Sequence, residues 1–246
     1  TTIPEPASIE LAHYSVPEKV EIGEKFSIKV AVTNTGGQPT TFSAPLYMKS
    51  PGSSWTKQGQ LDFGKVLPGE TISVTTNKFT FPYLDRYEIR LGDFSKTGVI
   101  QTVSAKLNWG KEYKTPNGYR IRVDVPEIRP NYEYETYTGS IELKSPEDGG
   151  QWAFVNIWVK NETGEAAYSP LSAEFALISG NSQYDPKVLT YEPVERGEQF
   201  QGGKLQPGIE RSGWLVYIVP MDVDEDDVTM AWSQQTVSGD ISVNWT

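Results

Sequence analysis

The chain has 246 residues, with 22 Lys and Arg against 32 Asp and Glu, a net charge of −10. That balance leaves no basic footprint for nucleic acid and disfavours anionic membranes, and no apolar run approaches the roughly 20 residues that span a bilayer. Cysteine is absent and His13 is the single histidine, which excludes thiol catalysis, disulfides and a zinc site built on several nitrogen ligands; 22 Gly and 17 Pro without long runs of helix formers point to a turn-rich, all-β protein.

The chain opens with Thr1-Thr2-Ile3-Pro4-Glu5-Pro6-Ala7-Ser8, an extended, non-helical leader. A start at Thr1 rather than Met is expected of a trimmed product, and the leader suits a tether to a signal or lipid anchor upstream of Thr1. Phe26, Ile28, Val30 and Val32 alternate with polar or small residues, the period of a strand, and Asn34-Thr35-Gly36-Gly37 ends it with turn residues. Thr41 to Lys49 forms a second strand, with Pro45 marking an edge or a bulge. Leu67-Pro68-Gly69-Glu70 is a turn, after which Ile72 and Val74 alternate; Tyr87, Ile89 and Leu91 alternate again before Gly92-Asp93, and Val99 to Val103 closes the series. About seven short strands in roughly 100 residues is the pattern of an immunoglobulin-like sandwich.

The pattern then repeats in style. Tyr119, Ile121, Val123 and Val125 alternate, Pro126 and Pro130 interrupt, and Trp152 to Val159 is almost wholly apolar, as a central strand requires. Leu171 to Ile178 reads as a strand or a short helix, with strand preferred; Trp214 to Val219 is a second apolar run, and Ile241, Val243 and Trp245 alternate at the C-terminus. Charge divides the chain at the same place. Residues 1–104 hold ten basic and ten acidic side chains, whereas residues 105–246 carry the whole excess of −10. The expected organisation is two immunoglobulin-like β-sandwich domains in tandem, 1–104 and an acidic 105–246.

The stretch Val16 to Gly37, "VPEKVEIGEKFSIKVAVTNTGG", with the later Pro68-Gly69-Glu70 turn, Asp85-Arg86-Tyr87 and Gly92-Asp93, resembles the cell-adhesion-related domain of bacterial and archaeal surface proteins. In the second half, Gly208 and the run Gly213-Trp214-Leu215-Val216-Tyr217-Ile218-Val219-Pro220, followed by an acidic loop and an apolar last strand, resemble the telokin-like immunoglobulin family of exported prokaryotic lipoproteins; Gly110-Lys111, Tyr113 and Asn117-Gly118 match that family's opening, and the segment around Tyr132–Asp148 departs from it as an insert. These resemblances imply a sandwich fold and an extracellular or cell-surface location. They imply no reaction.

Three constellations bear on chemistry. Asp222-Val223-Asp224-Glu225-Asp226-Asp227 places Asp at alternating positions, the approach of oxygen ligands to Ca²⁺. The loop lacks the glycine and the twelfth-position glutamate of an EF-hand, and a solvated acidic hairpin is the competing reading. No other cofactor is expected. Tyr132, Glu133, Tyr134, Glu135 and Tyr137 form an aromatic-acidic stretch suited to stacking on sugar or contacting protein, and Trp55 and Tyr83 stand in loops of the first half. Trp152, Trp158 and Trp214 read as core. Paired acids such as Glu133 with Glu135, or Glu192 with Glu195, raise a glycosidase only if a sugar cleft separates them by about 5–9.5 Å. No G-x-S-x-G elbow accompanies His13, and Gly202-Gly203-Lys204 lacks the spacing of a phosphate loop. Asn161-Glu162-Thr163 and Asn244-Trp245-Thr246 are N-glycosylation sequons. The function expected from all this is a non-enzymatic, exported cell-surface binding or spacer protein whose partner is a surface protein or a polysaccharide. The alternatives are a carbohydrate-binding accessory module and, behind it, a glycoside hydrolase.

Overall fold

A computed structural model describes residues 5–147 and 149–246; Thr1–Pro4 of the expected leader lie outside the described residues. The chain divides into two compact units, the first ending at Ser104 and the second beginning at Ala105. Among the described residues there is no α-helix, and two single 3₁₀ turns stand among 22 strands.

The first unit contains β1 (Ile9–Ser15), β2 (Lys19–Glu21), β3 (Lys29–Asn34), β4 (Thr40–Lys49), β5 (Thr56–Val66), β6 (Thr71–Thr75), β7 (Arg86–Leu91) and β8 (Thr97–Val103). They form two sheets, β1-β3-β6 and β2-β8-β7-β4-β5. The alternating apolar residues read from the sequence are what the sheets bury between them: Ile28, Val30 and Val32 from one, Leu46, Ile89, Leu91 and Ile100 from the other. Pro45 sits inside β4, a paired strand, between two register shifts against β5, so it marks a bulged region and no edge. Among the strands that alternation does not announce, with β1 and β2, β5 is the longest. Its first five residues, Thr56-Lys57-Gln58-Gly59-Gln60, are all exposed.

The second unit contains β9 (Ala105–Leu107), β10 (Glu112–Lys114), β11 (Tyr119–Val123), β12 (Glu127–Arg129), β13 (Tyr132–Glu135), β14 (Ile141–Lys144), β15 (Gln151–Asn161), β16 (Ala167–Ser169), β17 (Phe175–Ser179), β18 (Ser182–Tyr184), β19 (Gly203–Leu205), β20 (Glu210–Val219), β21 (Val228–Thr236) and β22 (Gly239–Trp245). The long apolar strand β15 is central. It takes β20 along one edge and β11 and β12, in succession, along the other. The facing sheet runs β18-β17-β21-β22-β9. The 171–178 stretch divides into a 3₁₀ turn, Ser172–Glu174, and strand β17. Trp152 is core, but Trp158 and Trp214 are only half-buried on the outer face of their sheet. Trp158 donates its indole N–H to Glu210 Oε2 at 3.1 Å beneath the Arg122 guanidinium.

One device occurs in both units. Asn34 at the end of β3 and Asn161 at the end of β15 are both fully buried. The Asn34 amide donates to Gln38 O (2.7 Å) and Val66 O (3.2 Å), and its Oδ1 accepts from Gly36 N and Ser8 N. The Asn161 amide donates to Glu165 O (2.9 Å) and Leu205 O (3.0 Å), and its Oδ1 accepts from the Thr163 N–H and hydroxyl. Each backbone carbonyl accepts from a glycine in a Pro-Gly turn, Gly69 and Gly208, both at 2.8 Å. Both glycines have φ of +75°, a conformation that side chains resist. Each asparagine therefore ties a strand end to the turn that begins a later strand.

Candidate functional site

The segment Tyr132–Lys144 folds as a β-hairpin, β13 with β14, pairing Tyr132 with Lys144, Glu133 with Leu143, Tyr134 with Glu142 and Glu135 with Ile141. Alternation sends the two tyrosines of β13 inward and the two glutamates outward. Tyr132 is consequently core and no stacking platform: its ring meets Trp152 at 5.3 Å and Phe154 at 5.7 Å edge-on, and its hydroxyl donates to Tyr191 O at 3.0 Å. Burial, with a smaller contribution from Tyr134, pushes its phenol up to about 12.

Segment 185–201 lies against this hairpin and against β20. Its backbone is stitched by Lys187 N to Val216 O (2.7 Å), Val194 N to Glu133 O (3.0 Å) and Phe200 N to Trp214 O (2.9 Å). Arg196 provides the clamp. Its guanidinium lies between the rings of Phe154 and Trp214, at 4.4 and 4.3 Å, and donates to Glu127, which also pairs with Arg129; the side chain is 5% exposed.

The outer part of this construction is an aromatic ledge. Tyr191 stands 4.8 Å from Tyr134 and 5.5 Å from Tyr137, and the Tyr134 hydroxyl donates to Glu142 Oε2 at 2.7 Å. That hydrogen bond raises the Tyr134 phenol, and burial raises Tyr191. The hairpin and segment 185–201 expose Val188 (92%), Tyr137 (91%), Leu143 (64%), Val194 (53%) and Ile141 (53%), with Leu143 and Ile141 on the face away from the ledge. The charges here are one-sided: Glu133, Glu135, Glu142, Glu147, Asp185, Glu192, Glu195 and Glu198, against Lys144, Lys187 and the clamped Arg196. Three clefts open beside it, of about 200, 280 and 320 Å³.

The smallest cleft is lined by Glu133 and Glu195, with Arg129, Leu143 and Pro193. Its volume lies below the roughly 300 Å³ at which ligand pockets begin. Both carboxylates are exposed, so the water-excluded acid that glycoside cleavage uses is missing here. Glu133 and Glu135 share the outward face of one strand, and Glu192 and Glu195 lie on the open segment.

The other predicted residues are dispersed. Trp55 is half-buried and already carries two cations, Lys49 at 4.9 Å and Arg90 at 4.7 Å. Tyr83 borders a cleft of about 420 Å³ in the first unit, with Phe79, Phe81 and Tyr87. His13 is exposed on β1. In the acidic loop, Asp224 and Asp227 turn onto their own backbone: the Asp224 N–H donates to Asp227 Oδ2 at 3.2 Å around the 3₁₀ turn Glu225–Asp227, and Glu225 accepts from the Ile128 N–H. Asp222 and Asp226 point to solvent. Among the described residues no group of three or more His, Asp or Glu side chains is placed to hold a metal ion.

The sequon at Asn161 meets a direct obstacle. Its amide nitrogen spends both hydrogens inside the unit and has no exposed surface, so the folded chain has no room for a glycan there. Asn244 is half-buried within the paired strand β22. The residues beside the hairpin that the sequence did not single out are Tyr191, Val188 and Arg196. Segment 185–201 has no periodicity to flag it, and only its Tyr and Val among prolines and acids hinted at surface use.

Residues 130–241 match a family described as "Domain of unknown function (DUF4352)". The match takes in the hairpin, segment 185–201 and the acidic loop. No curated protein matches the chain. Among solved structures, an uncharacterized β-sandwich protein from Clostridium difficile 630 is similar at 10% identity over 58% of this chain and 93% of its own, with a TM-score of 0.37.

Proposed function

We propose that this is a non-catalytic binding protein of the cell surface, and that it engages its partner with the hairpin end of the second unit. The observation that carries this reading is that the hairpin and segment 185–201 expose Tyr137, Val188, Leu143, Ile141 and Val194 at 53–92%, on both faces of the hairpin, over a clamped and well-bonded base. A single exposed apolar residue needs no explanation, whereas five on one hairpin and the segment beside it, set among acidic side chains, point to an interaction surface. The base supports preorganisation: the ledge stands on Tyr132 and Arg196, both packed in the core, so little ordering accompanies binding. The acidic rim suits a partner offering cations or hydroxyls.

The partner is then a protein or a polysaccharide of the cell envelope. Carbohydrate is favoured by one feature, the Tyr134-Tyr191-Tyr137 ledge beside Glu142, where rings and a carboxylate stand within reach of one sugar. The cell-adhesion-related and telokin-like resemblances agree with surface placement of both units.

Co-sedimentation with isolated cell envelope from the source organism tests this. The wild-type chain is expected to pellet, and the triple variant Tyr137→Ser, Val188→Ser, Leu143→Ser to stay in solution while keeping the wild-type circular dichroism. Prior digestion of the envelope with protease or with glycosidases assigns the partner class. Equal pelleting of wild type and variant would overturn the reading.

A further inference from the structure

We infer that strand β14 is a self-complementary edge through which a second copy of this chain adds to the hairpin. Hydrogen-bond phase along the hairpin decides which way each backbone group of β14 faces. The Thr136 N–H donates to Ser140 O at 2.8 Å where the hairpin turns. Pairing then alternates along the ribbon, so that Tyr134 with Glu142 and Tyr132 with Lys144 are the hydrogen-bonded pairs. The backbone N–H and C=O of Ile141 and Leu143 therefore face away from β13. The far edge of β13 is closed by the bridge of Tyr134 with Pro193 and by the Val194 N–H on Glu133 O. No described residue pairs with the far edge of β14, and neither Ile141 nor Leu143 finds a backbone partner there.

An open edge of this kind is a template for another strand: β14 has neither proline nor bulge, and Ile141 and Leu143 are exposed beside it. The occupant follows from the order Ile141-Glu142-Leu143-Lys144. Laid antiparallel to itself about a two-fold axis at Leu143, the strand pairs Leu143 with its own counterpart through both outward hydrogen bonds. It sets Glu142 opposite Lys144 on each side of the axis. These flanking pairs are the non-hydrogen-bonded ones, where cross-strand side chains approach most closely. Among the described residues Lys144 forms no ion pair. Ile141 and Leu143 of both copies gather on the other face into one apolar strip. An isologous contact of this form closes at two copies. It also sets two aromatic ledges side by side, which raises avidity for a repeating partner. The dimer stands without the reading of the previous section, since it needs no third component.

Sedimentation equilibrium on the full chain is the test, from about 5 to about 500 µM, where interfaces at the small end of the size range associate. The wild-type chain is expected to rise from monomer towards twice the monomer mass. Leu143→Pro removes an outward N–H and leaves the hairpin's own bonds intact, and it is expected to stay monomeric. Glu142→Lys alone and Lys144→Glu alone each place like charges opposite one another and are expected to weaken association about tenfold or more. An equimolar mixture of those two variants pairs opposite charges throughout and is expected to recover wild-type association. This mixture distinguishes a folding defect from a lost contact. A wild-type chain that is monomeric over the whole range, a Leu143→Pro chain that associates as wild type, or a mixture no tighter than its components would overturn the inference.

Discussion

Asn34 and Asn161 show how one buried amide fixes long-range structure in each unit. With every donor and acceptor of the side chain satisfied, truncation takes the amide donor from a buried backbone carbonyl, that of Val66 or that of Leu205, and opens a gap at the strand end. Asn161→Ala is expected to destabilise the second unit by about 2–4 kcal/mol, and Asn34→Ala the first by a similar amount, measured by urea unfolding. The sequence made both visible only as turn residues at strand ends, and one of them masqueraded as a glycosylation site, because a sequon does not say whether its amide is spent. Tyrosine burial gives a second prediction at this scale. Burial raises the Tyr132 phenol to about 12, and burial helped by Asp85 and Tyr83 raises that of Tyr87 to about 12. Both are raised above the unfolded value of about 10, so the stability they contribute is complete below pH 10 and is lost as pH rises through 12. Ultraviolet titration of the 13 tyrosines should show a late fraction, Tyr132 and Tyr87 among it, ionising only with loss of the folded circular dichroism.

Among elements, periodicity located several of the strands that bury one face or both and passed over others, such as β21 with its buried Val228, Met230 and Trp232. Ile28, Val30 and Val32, Ile89 and Leu91, the Trp152–Val159 run and the Ile241-Val243-Trp245 strand all lie where alternation or apolar continuity put them. It missed β5, whose first half is polar and exposed, and segment 185–201, whose order comes from single tertiary bonds. It also took Tyr132 for a surface residue. In a hairpin that packs one face, the pattern Tyr-Glu-Tyr-Glu means tyrosine in and glutamate out, and the outward apolar residues are supplied by the partner strand, Ile141 and Leu143. Arg196 is the element-scale feature with the clearest consequence. Arg196→Ala removes the guanidinium from between Phe154 and Trp214 and leaves Glu127 with Arg129 alone. Hydrogen exchange at the Lys187, Val194 and Phe200 amides is expected to accelerate about tenfold or more, consistent with a lost contact of roughly 1–2 kcal/mol, while the β15 amides stay protected. Uniform exchange rates in the two proteins would show that the clamp is dispensable.

At the scale of the whole molecule, charge separates the two units more sharply than fold does: both are sandwiches, and only residues 105–246 carry the acidic excess. Much of that excess lies on the hairpin, segment 185–201 and the acidic loop. In the loop Asp224 and Asp227 cap their own turn, and Asp222 and Asp226 face water, where repulsion is screened. Millimolar Ca²⁺ is therefore expected to leave the Tm where a chelator leaves it, and to do the same for Asp224→Asn, Asp226→Asn; a site filled at a hundredfold excess over Kd would instead add about 2.7 kcal/mol. The placement of a recognition surface at the hairpin end of the second unit is tested most directly by hydrogen-exchange footprinting of the full chain with and without isolated cell envelope. Slowed exchange confined to 132–144 and 185–201 is the expected result. Protection confined to the first unit, around the cleft of Phe79, Phe81 and Tyr83, or no protection at all, would contradict it.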